Sequence, residues 1–468
     1  MGFTDSIQRV AEAAPAYRHE NIQIKGIMYY PFLLYYQKVD SDDGSTSSSL
    51  SNGGILKKRR KTGSAVKKPN AFLYFGIAPL FKLYYRLVYH HTVDKSALFG
   101  LAPPYLVVAG HSSWLDYMIA SVSMFPVRMN FVGAYNFFRD RLLKSVFTFM
   151  GVIPRRQFTR DISSIKKMKY CIDQGRVVAL FPHGCLSNEG RPGGYAVAEV
   201  AKLVRLLNVP VAALKTNGGY LTRPRWSKKP RYGRLETSIT PILTVREIGE
   251  MSNEAIYQRL MDTIKFDDYK WQRERMIPYR SRGAAEGVEY VLYKCPKCLR
   301  EFTLRSAGNR MFCQACGNAV HMNRYLLFDP EAPDTVFFDG IDRWYDFQRS
   351  CLEEEIQNHA FQLTAKTELK FAEPGKYGYQ HQGYGRLCLT RDAIVYTGTI
   401  KGGESEIVLP MKCIPMIPFA AGEYIEVATG EEINRFILED RRQMIKWVMA
   451  VRQIRDRYFE GGHKPEGA

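Results

Sequence analysis

The sequence predicts an α/β fold, a sheet covered by helices, followed by a small cysteine-held ribbon and a β-rich C-terminal module closed by a helix. Three observations predict it. Short apolar runs alternate with helix-patterned stretches between residues 103 and 245. Two CxxC pairs, Cys295 with Cys298 and Cys313 with Cys316, come next. Beyond residue 366, strand-like runs recur between Gly-containing and charged turns. At 468 residues the chain exceeds one ordinary core, so several units are expected.

Residues 1–38 form an N-terminal segment without the basic start, apolar stretch and cleavage site of a secretory leader, so a cytoplasmic location is expected. Residues 39–70 read as a flexible, basic linker: 41–54 are mostly Ser, Gly and Asp, and Lys57, Lys58, Arg59, Arg60 and Lys61 come directly after. An anionic bilayer would attract such a cluster, although a nuclear address or a solvated tail has the same composition. Residues 71–92 read as an interfacial helix, rich in Phe, Leu and Tyr but broken by Lys82 and Arg86. A helix buried against the next domain is the alternative.

Residues 105–109, 177–181 and 209–214 are continuous apolar runs, as expected of strands covered on both faces. Between the first two, Ile162, Ile165, Met168 and Ile172 keep helical spacing until Gly175 stops it. A helical stretch over 256–273 completes a unit spanning 71–285. Residues 286–326 form the ribbon, and 327–365 a helical connector, amphipathic over 344–356. Within 366–462, strand-like runs at 387–389, 394–396, 407–409, 424–427 and 436–438 precede a helix marked by Met444, Val448, Val451 and Tyr458. That pattern resembles a pleckstrin-homology or GRAM-type module.

Formal charge is +19, which points to an anionic partner: lipid head groups, nucleic acid, or a phosphate-bearing or acidic carrier. Nine cysteines, four of them in the CxxC pairs, fit a reducing compartment with one metal site better than a disulfide framework. Paired CxxC turns at this separation present four thiolates to a tetrahedral Zn2+, and closed coordination makes that ion structural. His321 falls outside the pattern. No uncharged apolar run reaches the roughly 18–20 residues of a spanning helix.

The sharpest local feature is His111-Ser-Ser-Trp-Leu-Asp116, directly after an apolar run. Histidine titrates near neutral pH and can take a hydroxyl proton, and a carboxylate on its other ring nitrogen would fix the tautomer. Ser113-x-x-Asp116 also fits a helix capping box, in which Asp116 merely satisfies a helix start. Three motifs farther along the chain shift the balance. Gly151 to Arg156 (GVIPRR), Phe181 to Ser187 (FPHGCLS) and Val209-Pro-Val211 occur in order. With HxxxxD they resemble the four blocks of the glycerophospholipid acyltransferase family, which includes 1-acylglycerol-3-phosphate acyltransferase, over residues 71–250.

The resemblance implies an acyltransferase-type sheet and an O-acyltransferase activity. It implies His111 as general base oriented by Asp116, with Arg155 or Arg156 on the acceptor phosphate. Phe181, Pro182, His183, Gly184 and Pro210 would line the acceptor site. The expected donor is acyl-CoA or an acyl carrier protein, and the expected acceptor a lysophospholipid at the inner face of an anionic membrane. The third block departs from the family's FPEGTRS: His183 stands for Glu, Cys185 for Thr and Leu186 for Arg. Arg191 or the basic stretch 223–231 could supply the missing cation. A catalytically altered scaffold that binds lipid or protein is therefore the alternative function. Nucleic-acid binding through the ribbon is not expected, because it leaves the α/β region unused.

Overall fold

The chain's computed structural model describes residues 65–157, 161–193, 199–373, 376–429 and 432–459. The N-terminal segment and the basic cluster at 57–61 lie outside the described residues.

The first sheet and its helices run Ala71–Val88 (α1), Thr92–Asp94 (β1), Leu106–Ala109 (β2), Asp116–Met124 (α2), Met129–Ala134 (β3), Arg141–Phe149 (α3) and Ile153–Arg155 (β4). Next come Ile162–Asp173 (α4), Val177–Leu180 (β5), Glu199–Leu207 (α5), Val211–Asn217 (β6), the single turn Gly219–Thr222 (α6) and Glu236–Leu243 (β7). Val245–Glu250 (α7), Asn253–Ile264 (α8) and Asp268–Arg275 (α9) complete it. The sheet order is β1-β7-β6-β2-β5-β3-β4. The five strands from β6 to β4 are mutually parallel, and β7 runs antiparallel to β6. Strand β2 shows why its sequence is wholly apolar. Leu106 and Val108 face Met168 and Ile172 of α4, Val204 of α5 and Leu260 of α8. Tyr105, Val107 and Ala109 face the other way, toward Ala120 and Met124 of α2.

Local signals set the ends. Asp161 accepts a hydrogen bond from the Ser164 amide at 3.0 Å to start α4, and the chain leaves the helix through Gly175 at φ +67°. The single helix expected over 256–273 is instead two. Asp267 caps a second start at the Lys270 amide (2.8 Å), and Phe266, 2% exposed, turns into the core between them. Strands β3, β4 and β7 had no reading in the sequence; β7 is too polar on its exposed face to announce itself.

Leu304–Ala307 (β8), Arg310–Cys313 (β9), Ala319–Met322 (β10) and Phe328–Pro330 (β11) form an antiparallel sheet in the order β11-β10-β9-β8. Ile341–Gln357 (α10) comes after it. The last sheet comprises Leu363–Phe371 (β12), Gln380–Leu389 (β13), Ala393–Ile400 (β14), Gly403–Pro410 (β15), Phe419–Ala420 (β16), Tyr424–Thr429 (β17) and Glu432–Leu438 (β18), closed by Met444–Tyr458 (α11). Its order is β15-β14-β13-β12-β18-β17-β16, antiparallel throughout.

The stretch 327–365 does more than connect. Trp344, Leu352 and Ile356 of α10 are at most 1% exposed. They belong to one hydrophobic core that runs from Met311 and Val320 of the ribbon to Leu387, Phe436, Trp447 and Ile454 of the C-terminal sheet and helix. Lys446 of α11 reaches Glu301 at 2.7 Å and Glu355 of α10 at 2.6 Å, tying all three parts together.

Helix α1 buries only a stripe, Tyr74, Ala78 and Tyr85, and the Tyr74 hydroxyl donates to the carbonyls of Ser121 and Val127. Apart from Lys82 and Arg86, its remaining surface is largely apolar and open: Phe72 is 91% exposed, Leu80 66% and Leu87 65%. No helix among the described residues is long and apolar enough to cross a membrane.

Candidate active site

Parallel strands end together, so the loops at their C-terminal ends converge. His111 lies just past β2, residues 181–187 just past β5, and Arg155 ends β4. Three of the four sequence blocks meet at this edge.

Asp116, the first residue of α2, is 5% exposed and reaches back over its own turn. Its Oδ2 lies 2.8 Å from His111 Nδ1 and accepts from the amides of Ser112 (2.7 Å) and Ser113 (2.9 Å). Its Oδ1 accepts from the Ser112 hydroxyl at 3.3 Å. No capping box forms here. The Ser113 hydroxyl instead donates to the Arg223 carbonyl and accepts from the Leu115 amide. A carboxylate taking this many donors is an acceptor only, so the hydrogen on the shared His111 nitrogen is assigned to Nδ1, leaving the Nε2 lone pair for chemistry. The imidazole stacks on Phe181, with ring centroids 4.5 Å apart, and meets the edge of Tyr117. Its side chain keeps 13% exposure, so the ring is neither sealed in nor loose.

The turn after β6 supports the pair from behind. Gly218 adopts φ +82°, and a Cβ on Gly219 would lie 2.4 Å from the Ser112 hydroxyl and 3.6 Å from Asp116 Oδ1. Asp268, fully buried at the start of α9, accepts from the amides of Gly218 (3.0 Å) and Tyr220 (2.8 Å). Burial pushes its carboxyl up to about 7 against the pull of those hydrogen bonds.

The third block is sequestered. Phe181, Pro182, His183 and Gly184 form a tight turn, closed by the Gly184 amide on the Phe181 carbonyl, with Gly184 at φ +65°. Gln157, the residue after the second block, donates to the Gly184 carbonyl of the third. His183 is 5% exposed and its Nδ1 has no hydrogen-bond partner among the described residues. Burial, then the nearby charges of His111 and Arg452, pulls its imidazole down to about 4. Burial raises the Cys185 thiol, and Leu186 is 4% exposed.

Three arginines lie near this block. Arg191 is engaged with Asp346 of α10, at 2.8 and 3.0 Å. Arg225, within the basic stretch 223–231, donates to the Leu186 carbonyl and to Asn188 Oδ1, both at 3.1 Å, and lies 3.8 Å over the Phe419 ring of β16. Arg452 of α11 donates to the Gly193 carbonyl at 3.1 Å and adds its field to His183 and Cys185. Sequence reasoning missed Arg452 and Asp268, which lie far along the chain and in no block.

Arg155 is half-buried, which lowers its affinity for the proton, with Asp161 and Glu199 opposing. The Arg156 guanidinium lies 5.2 Å over the Tyr135 ring. Pro210 is not brought to this edge. Its carbonyl accepts from the Leu106 amide at the opposite end of β2, about 16 Å of strand from His111.

Away from this edge, Cys295, Cys298, Cys313 and Cys316 place their sulfurs within 4.8 Å of one another. Two opposed pairs are 3.7 Å apart, Cys295 with Cys316 and Cys298 with Cys313. A disulfide would need about 2.05 Å, whereas four thiolates on an ion at about 2.3 Å stand about 3.8 Å apart. The donor set fits a tetrahedral metal. His321 is exposed on β10 and is not part of the group.

Residues 89–215 match the family model described as Acyltransferase. A 1-acyl-sn-glycerol-3-phosphate acyltransferase of Bacillus subtilis (strain 168) is 22% identical over 108 residues, 23% of this chain and 54% of that protein. The chain thus spans about half the length of that curated relative. Among solved structures, the 1-acyl-sn-glycerophosphate acyltransferase of Thermotoga maritima is similar at 15% identity, over 44% of this chain and 80% of that one, with a TM-score of 0.36. The N-terminal PH domain of human ARAP2 is similar at 16% identity over 22% of this chain and 90% of its own, with a TM-score of 0.17. The chain's resemblance to the glycerophospholipid acyltransferase family, read from its blocks, is thus matched by the family model and the curated relative.

Proposed function

We propose that the chain is an O-acyltransferase, passing a fatty acyl group from acyl-CoA or an acyl carrier protein to a hydroxyl of a lysophospholipid such as 1-acylglycerol-3-phosphate at a membrane surface. The His111–Asp116 pair, set at a sheet edge inside an Acyltransferase match, carries this reading. In it, His111 Nε2 takes the acceptor's hydroxyl proton as the oxygen attacks the thioester carbonyl carbon. The carbon–sulfur bond then breaks, and the imidazolium returns the proton to the leaving thiolate. Ester and free thiol result, and no enzyme nucleophile is needed because the thioester is already activated. Asp116 holds the tautomer and offsets the imidazolium charge.

Arg155 and Arg156 are assigned to the acceptor phosphate, with Arg225 and Arg452 restoring the charge that Leu186 removes. The open apolar surface of α1 supports a peripheral seat on a membrane, which this reading assigns to the cytoplasmic face. In the same reading 71–285 is the catalytic unit, 286–326 a ribbon, and 366–462 a pleckstrin-homology-like module. Zn2+ on the four thiolates would cross-link the two ribbon turns and leave no open position for catalysis. The buried, neutral His183 in place of the family's Glu favours one other reading, a binding scaffold with altered chemistry.

A screen of lysophospholipid acceptors with radiolabelled acyl-CoA and acyl carrier protein donors separates the two. Transfer by the wild-type chain to any of these acceptors supports the enzyme. Lipid binding with no transfer to any acceptor leaves the scaffold.

A further inference from the structure

A cavity of about 490 Å³ lies where the last sheet meets the loop between α6 and β7. Its lining includes Lys228 of that loop, Tyr290 near the start of the ribbon, Glu423 and Tyr424 at the β16–β17 turn, Arg435 of β18, and Arg441. None of these residues belongs to the edge that holds His111. The volume falls within the range of small-ligand sites, about 300–1,000 Å³.

Three cations line the cavity against one carboxylate, Glu423. They are not equivalent. Arg435 is already committed: it pairs with Glu426 at 2.7 Å and lies between the rings of Tyr379 and Tyr424, 3.6 Å from each centroid. It forms a fixed wall. Lys228 and Arg441 have no carboxylate within ion-pair distance among the described residues. Arg441 is nonetheless aimed, since one guanidinium nitrogen donates to the Gly422 carbonyl at 3.3 Å while the rest of its fork has no partner among the described residues. Gly422 holds that carbonyl in place: its φ is +74°, and its Cα sits over Tyr290, where a Cβ would come within 2.8 Å of the ring. An oriented guanidinium, an exposed ammonium and two phenols around one cavity match a phosphate group, which takes forked and point-charge donors together.

We propose that this cavity is a second anion site, which binds a phosphate monoester carried by a free small molecule or by a lipid head group. The geometry stands whether or not the chain transfers acyl groups.

Calorimetric titration of the full chain tests it, at low salt, with inorganic phosphate and with water-soluble dihexanoyl phosphatidic acid as probes. Wild type should bind at least one, and binding of only the second probe, retained in Arg155→Ala and weakened in Lys228→Ala, assigns the lipid source. Lys228→Ala/Arg441→Ala should weaken the site about tenfold or more, as expected for two lost charged donors. Arg155→Ala, at the other edge, should leave this site intact. Because Arg441 also ties Gly422, Lys228→Ala alone, which breaks no hydrogen bond among the described residues, should still weaken binding several-fold. No binding of either probe by wild type would overturn the proposal. So would unchanged affinity and stoichiometry in both Lys228 variants. Acyl transfer is not read in either case, so failure here leaves the catalytic proposal standing.

Discussion

At the scale of single residues, the pairing of His111 with Asp116 is local and was legible in the sequence: five residues across one strand-to-helix turn. The neighbouring charges were legible only in part: Arg225 lies in the basic stretch 223–231 that the sequence offered, whereas Arg452 approaches the third block from the last helix, and nothing in FPHGCLS announces it. Arg225→Ala should raise the KM for a phosphate-bearing acceptor about tenfold, with a smaller change in kcat, measured in steady-state transfer assays; a change confined to kcat would contradict a binding role. His183 makes a pH prediction. Its folded-state value, about 4, lies below the ordinary 6.5, so the folded chain keeps the ring neutral while the unfolded chain takes a proton. The stabilisation it contributes is complete above about pH 6.5 and is lost as pH falls toward 4, amounting to about 2 kcal/mol by pH 5. Denaturant unfolding at pH 7 and 5 should show a smaller loss in His183→Gln than in wild type. The variant comparison is needed because Asp268, with its carboxyl raised to about 7, shifts stability the opposite way over the same window.

Among elements, periodicity revealed what one segment could hide by itself. Strands β2, β5 and β6 are covered on both faces and so read as unbroken apolar runs. Strand β7 lies near the sheet edge with a polar face, and β4 is three residues long, so neither carried a signal. Helix α1 was read as an aromatic-rich interfacial helix over 71–92; it spans Ala71–Val88, and only the fold shows how little of it is covered. Phe72→Ser/Leu80→Ser/Leu87→Ser should lower partition onto anionic vesicles in a sedimentation assay while leaving the melting temperature nearly unchanged, because these side chains are already open to solvent. Unchanged partition would place the membrane seat elsewhere. The ribbon was the most legible element of all, since four cysteines at fixed spacing need no tertiary information. Elemental analysis should find one zinc per chain, lost together with ribbon protection from hydrogen exchange in Cys295→Ser/Cys298→Ser.

Across the whole molecule, the sequence suggested a string of units, yet the ribbon, α10, the last sheet and α11 share one core. Composition shifts mark boundaries in sequence, but they do not report which surfaces bury one another. Trp344 and Trp447, each 1% exposed, belong to elements about a hundred residues apart. Trp447→Ala should therefore cost about 3–5 kcal/mol and lower the melting of the ribbon and last sheet together rather than the sheet alone. The same docking carries Arg452 to Gly193 and Phe419 to Arg225, so the C-terminal half helps shape the edge where chemistry is proposed.

All of this depends on His111 acting as the base. The most direct measurement is acyl transfer to the best lysophospholipid acceptor by wild type and His111→Ala, with zinc content and melting temperature as controls for folding. A loss of about 100-fold or more in an intact variant is the predicted result. Full activity in His111→Ala would contradict it.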